Sequence, residues 1–373
     1  LNDVYVVDAD GEIIAEDSMG AFVKKSSRAS ARPYWEARAK LVEDGHASRK
    51  IWTVLDSSGP SSSKDGALTH HDALVSFEKS NASQLIDYLG IKGTGFCPTG
   101  PEAGDEGALL QALQLTVAQA LAALGESTIP ATQAEYDLLC AEALIQFVRG
   151  QDLGDEDGDG DRSETRATVL GDIFHSSPIN VEPPVDKFIC DLALHNQCVR
   201  TLYSKTVEGP TPLAEYTSLD PCTNRSATFD AYDKYLLENR YRDKVVLVGA
   251  NDGMLHAFHN GSKASSECRG GSYVPTYDEG TGAEAWAFLP PDILPRLRDR
   301  LTGHAYLLDG DIMVRDIWAD DGELDGVKQW EEYRTVAIVS EGRGGTHYFA
   351  LSIEFDDAQK IADRPGFRWM FPQ

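Results

Sequence analysis

The period of the apolar positions changes along this chain, and each change predicts a different kind of element. Residues 1–60 are mixed. The run Val4, Tyr5, Val6, Val7, then Asp8-Ala9-Asp10-Gly11, then Glu12, Ile13, Ile14 predicts strand, turn, strand. Residues 33–42 predict a short helix with Trp35, Ala39 and Leu41 turned inward, and residues 49–55 a strand. Residues 57–64, built from Ser, Gly, Pro and one Lys, predict a loop. From 67 to 150 the period becomes helical. Leu110, Leu113, Val117, Leu121 and Leu124 recur at three- and four-residue steps, and Gly125 is placed to end that helix. A second helix opens at Thr132, with Glu135 three residues on as a capping box. Its apolar face is Tyr136, Leu139, Cys140, Ala143, Leu144, Phe147 and Val148, and Gly150 stops it. The two helices are expected to form an antiparallel pair. From 167 onward the chain reads as β-rich with long connections. Val245–Val248 and Met254, Leu255, Ala257, Phe258 flank Asn251-Asp252-Gly253, three residue types that tolerate the positive φ of a primed hairpin turn. Further hairpins are expected near 305–318 and 335–353, at a spacing too irregular for a WD-type repeat.

Several of these segments carry recognisable strings. Residues 249–258 read GANDGMLHAF, 169–181 VLGDIFHSSPINV, 284–290 EAWAFLP, 306–316 YLLDGDIMVRD and 334–351 RTVAIVSEGRGGTHYFAL. In this order they resemble the C-terminal β-propeller domain of the PilC/PilY family of type IV pilus biogenesis factors and tip adhesins. FVRG at 147–150 and RKIWT at 49–53 resemble weaker landmarks of the same family. Two departures stand out. The family's Ala-Leu-Asp reads Ala350, Leu351, Ser352 here, and where some members carry Arg-Gly-Asp this chain has Arg149, Gly150, Gln151, Asp152. The inserted Gln removes the basis for an integrin-binding inference.

The resemblance implies a mainly β chain, a modified (degenerate) β-propeller with a helical insertion. Residues 1–66 would hold the first propeller strands and loops, 67–150 the helical insertion, and 151–373 the blades with long loops. It also implies a fragment of a larger exported protein, truncated at both ends, at the cell surface or pilus tip and associated with the outer membrane. The implied work is priming of pilus assembly with minor pilins in the pilus tip complex, adhesion to a receptor the sequence does not name, and surface motility.

Charge narrows the classes further. Sixty acidic against 34 basic residues give −26. Phosphate binding needs a basic footprint, so nucleic acid is not an expected partner, and no long apolar run predicts insertion into a membrane. The six cysteines, Cys97, Cys140, Cys190, Cys198, Cys222 and Cys268, contain no Cys-x-x-Cys pair, so disulfides are expected in preference to a cysteine zinc site. Cys190 and Cys198 are the favoured pair, and the other four allow three pairings.

The sharpest local chemistry is Asp155, Asp157, Asp159, Gly160, Asp161, the first half of an EF-hand-type calcium loop. Alternate carboxylates on a tightly turning loop can converge on one hard cation. Ser163 stands at the ninth position and Arg166 at the twelfth, where a bidentate Glu is expected; Glu164 is the substitute if the loop is short. No helix pattern follows, so the expectation is a lone Ca²⁺ loop with ligands Asp155, Asp157, Asp159, Asp161, Ser163 and Glu164. The resemblance points the same way, since the family carries calcium loops linked to pilus extension and retraction.

Other acid groups (Asp8, Asp10, Glu12; Asp309, Asp311; Asp320, Asp321, Glu323, Asp325) read as turn or loop chemistry. Gly-x-Ser-x-Gly and His-Glu-x-x-His are absent, and residues 342–345 (GRGG) lack the Lys-Ser/Thr and helix of a phosphate loop. No catalytic residue is expected. His175 and His256 are read as structural hydrogen-bonders. The competing classes are a periplasmic propeller enzyme of the quinone-cofactor oxidoreductase kind, and a carbohydrate-binding propeller using Trp286, Trp318, Trp330 or Trp369.

Overall fold

The computed structural model describes residues 6–7, 13–16, 22–26, 35–56, 68–102, 104–184, 214–269, 272–301, 303–320 and 325–372. It divides into residues 1–36 and 37–373. In the first unit, β1 (Val6–Val7), β2 (Ile13–Glu16) and β3 (Phe22–Ser26) form a small antiparallel sheet, with Val6 opposite Ile14. The strand–turn–strand expectation is met there, while Asp8, Asp10 and Glu12 lie outside the described residues.

The second unit is mainly β and carries two larger sheets. The first has six strands in the order β5 (Ala73–Ser76), β4 (Ile51–Leu55), β13 (Glu284–Phe288), β10 (Leu255–Gly261), β9 (Lys244–Gly249), β6 (Ile179–Val181). β6, β9, β10 and β13 run as an antiparallel meander in chain order, and β4 joins β13 in parallel, Ala287 opposite Ile51. The second sheet is an antiparallel meander of β14 (Ile312–Trp318), β15 (Tyr333–Ser340), β16 (Tyr348–Ser352) and β17 (Gly366–Phe371). The segment 305–318 is therefore one strand preceded by turns, because the hairpin partner of Ile312–Trp318 is β15 and not residues 305–311. Two short hairpins decorate these sheets. They are β7 (Glu215–Leu219) with β8 (Ser226–Asp230), and β11 (Lys263–Arg269) with β12 (Ser272–Tyr277).

The helices obey their caps. The long helix Gln133–Arg149 begins at Thr132, whose hydroxyl accepts from the Glu135 N–H while Glu135 reaches back to the Thr132 N–H. It ends at Gly150, φ 114°, and a Cβ there would also lie 2.5 Å from Val169. The preceding apolar stretch is two helices, Gly107–Ala112 and Val117–Ala123, because Gln114 adopts φ 53° and Thr116 starts a fresh capping box. The long helix takes the short helix Ala82–Leu85 and the turn Lys79–Asn81 as its neighbours. In the helix Ala37–Asp44, Leu41 is buried and Ala39 is exposed, because the helix meets its neighbours along a narrow strip.

One continuous apolar core joins helices and sheets. It runs from Leu109, Leu121, Leu144 and Val148 through Ile51, Leu247 and Trp286 to Phe349 and Phe367. Cys97 bonds Cys140, tying the long helix to the loop ahead of Gly107–Ala112, and Cys222 bonds Cys268, tying the two small hairpins together. Cys190 and Cys198 lie outside the described residues.

Candidate functional site

Three of the recognisable strings, separated by as much as 235 residues of sequence, meet in one buried electrostatic chain. Arg49 donates from Nε and Nη2 to both oxygens of Glu284, at 2.7 and 2.8 Å. Glu284 Oε1 faces His256 Nδ1 at 2.7 Å, and His256 Nε2 faces Asp252 at 3.2 Å. Asp252 in turn accepts from the N–H groups of Gly171 and Met254. All four side chains are inaccessible or nearly so. Burial opposes charge on His256, but Asp252 and then Glu284 override it and raise the imidazole to about 9. Burial likewise opposes charge on Glu284, and Arg49 and His256 hold it down at about 2. Both ring nitrogens of His256 therefore donate, and the four groups alternate in sign.

This changes the reading of the hairpin turn. Of Asn251, Asp252 and Gly253, Gly253 alone has positive φ, at 94°. Asn251 and Asp252 are buried, and their side chains are spent on other elements. Asn251 Nδ2 donates to Asp172 at 2.8 Å and its Oδ1 accepts from the Leu307 N–H at 3.1 Å. The neighbouring string repeats the theme. His175 pairs with the buried Asp309, and Ser176 Oγ accepts from the Gly249 N–H at 3.0 Å. Asp309 is thus a buried partner of His175 and not simple turn chemistry. Arg149 closes the arrangement by donating to the carbonyls of Phe77, His46, Ala47 and Arg49. The arrangement holds strands in register. It places no nucleophile beside a base.

The acidic loop follows directly. The pairing of Gln151 with Thr165, and the bond from the Asp152 N–H to the Glu164 carbonyl at 2.9 Å, close its two ends. Inside, Asp155, Gly158 and Gly160 have φ of 55°, 77° and 88°, which curls the segment tightly. The Gly160 N–H reaches back to Asp155 Oδ1 at 3.0 Å, and the N–H groups of Asp159, Asp161 and Ser163 each bond the aspartate two residues earlier. Two sets of carboxylates result, each with its ligand atoms within 4.8 Å of one another: Asp155, Asp157, Asp159, and Asp152, Asp157, Glu164. Asp157 belongs to both. Asp161 is in neither set and accepts from the Ser163 N–H and hydroxyl. Arg166, at the twelfth position, is buried with its guanidinium 4.3 Å above the Phe147 ring.

Asp152 was not legible as a member of this group. It reaches the loop through the Gln151–Thr165 pairing, which no spacing rule reports. Burial and the facing carboxylates Glu156 and Asp157 raise its pKa. Burial and then Asp157, Asp159, Asp161 and Asp152 raise that of Glu164. These groups repel one another and would be relieved by a cation.

Comparison with known proteins gives two relatives. The chain is 29% identical over 212 residues to a type IV pilus biogenesis factor PilY1 homolog of Xylella fastidiosa, covering 56% of this chain and 12% of that protein. It is 28% identical over 224 residues to the type IV pilus biogenesis factor PilY1 of Pseudomonas aeruginosa, covering 58% of this chain and 14% of that protein. Over this stretch the chain is PilY1-like. It spans about an eighth of the length of these PilY1 relatives. No family model matches the chain, and no solved structure matches it. Among the described residues no helix is long and apolar enough to cross a membrane.

Proposed function

We propose that this PilY1-like chain is an exported, non-catalytic part of a type IV pilus factor, acting in pilus assembly with minor pilins and in adhesion at the pilus tip. The observation that carries the reading is the meeting of the strings shared in type with the PilC/PilY family in the single chain Arg49–Glu284–His256–Asp252. Such a core serves a rigid presenting scaffold, and two successive four-stranded meanders are the units from which a modified β-propeller is built. Loops on a scaffold of that kind offer a broad binding face.

In this reading the acidic loop holds Ca²⁺. Asp155, Asp157, Asp159 and Glu164, with Asp152 added, supply hard oxygen donors that suit that ion. Bound calcium would supply the positive charge that lets these carboxylates share one small volume, and the loop would then be pinned beside the end of the long helix. Deleting residues 37–372 from the full-length protein in its own cell should abolish surface pili. Normal piliation would overturn the pilus reading. Separately, isothermal titration of the chelator-stripped chain should show one calcium ion bound, with binding lost in the Asp157→Asn/Asp159→Asn double variant. Equal binding in both would remove the loop as the seat of calcium.

One observation favours a carbohydrate ligand as a second reading. Tyr348, Trp369 and Phe371 are all exposed on one face of the second sheet, and such rings can stack on sugars. Trp286, by contrast, is fully buried. A glycan array on the wild type and Trp369→Ala would decide it.

A further inference from the structure

A second cluster of metal-ligand type lies away from the acidic loop. Asp292 stands in the turn that leaves β13. Glu341 follows β15, and His347 precedes β16 across the turn Gly342–Gly344. His347 Nδ1 lies 3.1 Å from Asp292 Oδ2 and 3.6 Å from Glu341 Oε2, and one ligand atom from each of the three falls within 4.8 Å of the others. The Glu341 side chain is wholly inaccessible, whereas His347 and Asp292 are about three-quarters buried.

The polar atoms here are incompletely satisfied. Glu341 Oε2 accepts from the His347 N–H at 3.0 Å, but Glu341 Oε1 and Asp292 Oδ1 are buried with no N–H or hydroxyl donor, and the two carboxyls lie within hydrogen-bond reach of each other. Buried carboxylate oxygens are costly when unpaired, so a fully buried Glu beside an Asp needs either a shared proton or a cation. The nearby Arg296 is spent on the carbonyls of Gly344 and Tyr306. Thr346 Oγ1 approaches His347 Nδ1 at 3.5 Å. The backbone is shaped to the carboxylate. A Cβ on Gly345 would fall 1.8 Å from Glu341 Oε2, and one on Gly344 would fall 1.7 Å from the Leu307 carbonyl oxygen. This explains the Gly-Gly of the GRGG string without any phosphate.

The donor set indicates the kind of ion. Ligands about 2.0–2.2 Å from a zinc-sized cation sit roughly 3.0–3.5 Å from each other in tetrahedral or octahedral arrangements. The 3.1 Å spacing falls in that range and the 3.6 Å spacing lies just beyond it. An imidazole with two carboxylates suits zinc, manganese or iron, whereas Ca²⁺ takes six to eight oxygens.

We propose that Asp292, Glu341 and His347 form a three-ligand site for a divalent transition-type cation, with water completing the shell on the exposed side. The ion would clip the exit of β13 in the first sheet to the β15–β16 turn of the second.

The test is zinc titration of the chelator-stripped full chain beside His347→Gln, Glu341→Gln and the Asp157→Asn/Asp159→Asn double variant. The wild type should bind one zinc ion more tightly than His347→Gln by at least tenfold, with a rise in Tm on zinc addition that the variant lacks. The acidic-loop double variant should keep both, so failure here and failure of the calcium reading are separable. Glu341→Gln should lose zinc in the same way; if that variant does not fold, the partly exposed His347→Gln carries the test. Equal zinc affinity and equal Tm response in wild type and His347→Gln would overturn the proposal, leaving a proton shared by the two carboxylates.

Discussion

His256 is held between two carboxylates in a dry interior, with one ring nitrogen aimed at each. Truncating it to Ala would leave Asp252 facing Glu284 without a cation between them, and Arg49 would be left with the excess negative charge. A broken buried pair costs about 3–5 kcal/mol, so His256→Ala should lose roughly that in urea unfolding. His304→Ala, at an exposed imidazole paired with the exposed Asp172, should lose under about 1 kcal/mol. An equal loss for both would show that the buried chain does not carry the strand register. The pH dependence has a definite sign. His256 is raised from 6.5 to about 9, so its contribution is complete below about 6.5 and disappears as pH rises through 9. Glu284 is lowered from 4.5 to about 2, so its contribution is complete above about 4.5 and disappears as pH falls through 2. These two groups alone place greatest stability between about pH 4.5 and 6.5, with a decline on the order of 3 kcal/mol on passing above 9 from His256. A pH series of denaturant midpoints checks it, and a Tm still rising between pH 7 and 9.5 would contradict the assignment.

At the scale of elements, what was legible in the sequence is what is local. Thr132, Glu135 and Gly150 state a helix start and stop, and the structure puts the caps on those residues. Thr132→Ala should therefore destabilise by about 1 kcal/mol. Gly150→Ala should cost more, because a side chain there meets both a left-handed backbone and Val169. If Gly150→Ala proved the milder change, the cap would not be what fixes that helix end. The hairpin of β9 and β10 and the pair of β15 and β16 were also readable, since their strands are adjacent in sequence. The break at Gln114 was not, because the leucine spacing continues through it. The disulfides were not either. Cys97 and Cys140 are separated by 43 residues and Cys222 and Cys268 by 46, and nothing in the spacing selects one partner over another. Replacing Cys97 and Cys140 together by Ser should cost about 2–4 kcal/mol, given the length of the loop that this bond closes. Unchanged stability in the oxidised wild type and the double Ser variant would count against the bond. The candidate sites divide in the same way. Asp155, Asp157 and Asp159 announce themselves by alternation, whereas Asp152 enters through a backbone pairing, and Arg49 meets Glu284 across 235 residues.

Over the whole molecule, the net charge of −26 favours solubility and works against compactness. Diffuse repulsion and a specific cation site make different demands on an experiment. Simple salt shortens the screening length from about 10 Å at 0.1 M to about 3 Å at 1 M and weakens repulsion everywhere at once. Adding NaCl should therefore raise the Tm of the wild type and of the Asp157→Asn/Asp159→Asn variant alike, the variant starting slightly higher because two repelling charges are gone. Calcium added at constant ionic strength should act differently. Stabilisation by a bound ion grows as RT ln(1 + [L]/Kd), so the wild-type Tm should climb with calcium and return on chelation, while the variant stays flat. If calcium and magnesium raised both proteins equally, the ions would be acting as screening charge and the loop would be a solvated acidic turn. A calcium response confined to the wild type would instead tie the order of the segment 152–164, closed by Gln151 and Thr165 at the end of the long helix, to the cation content of the surrounding medium.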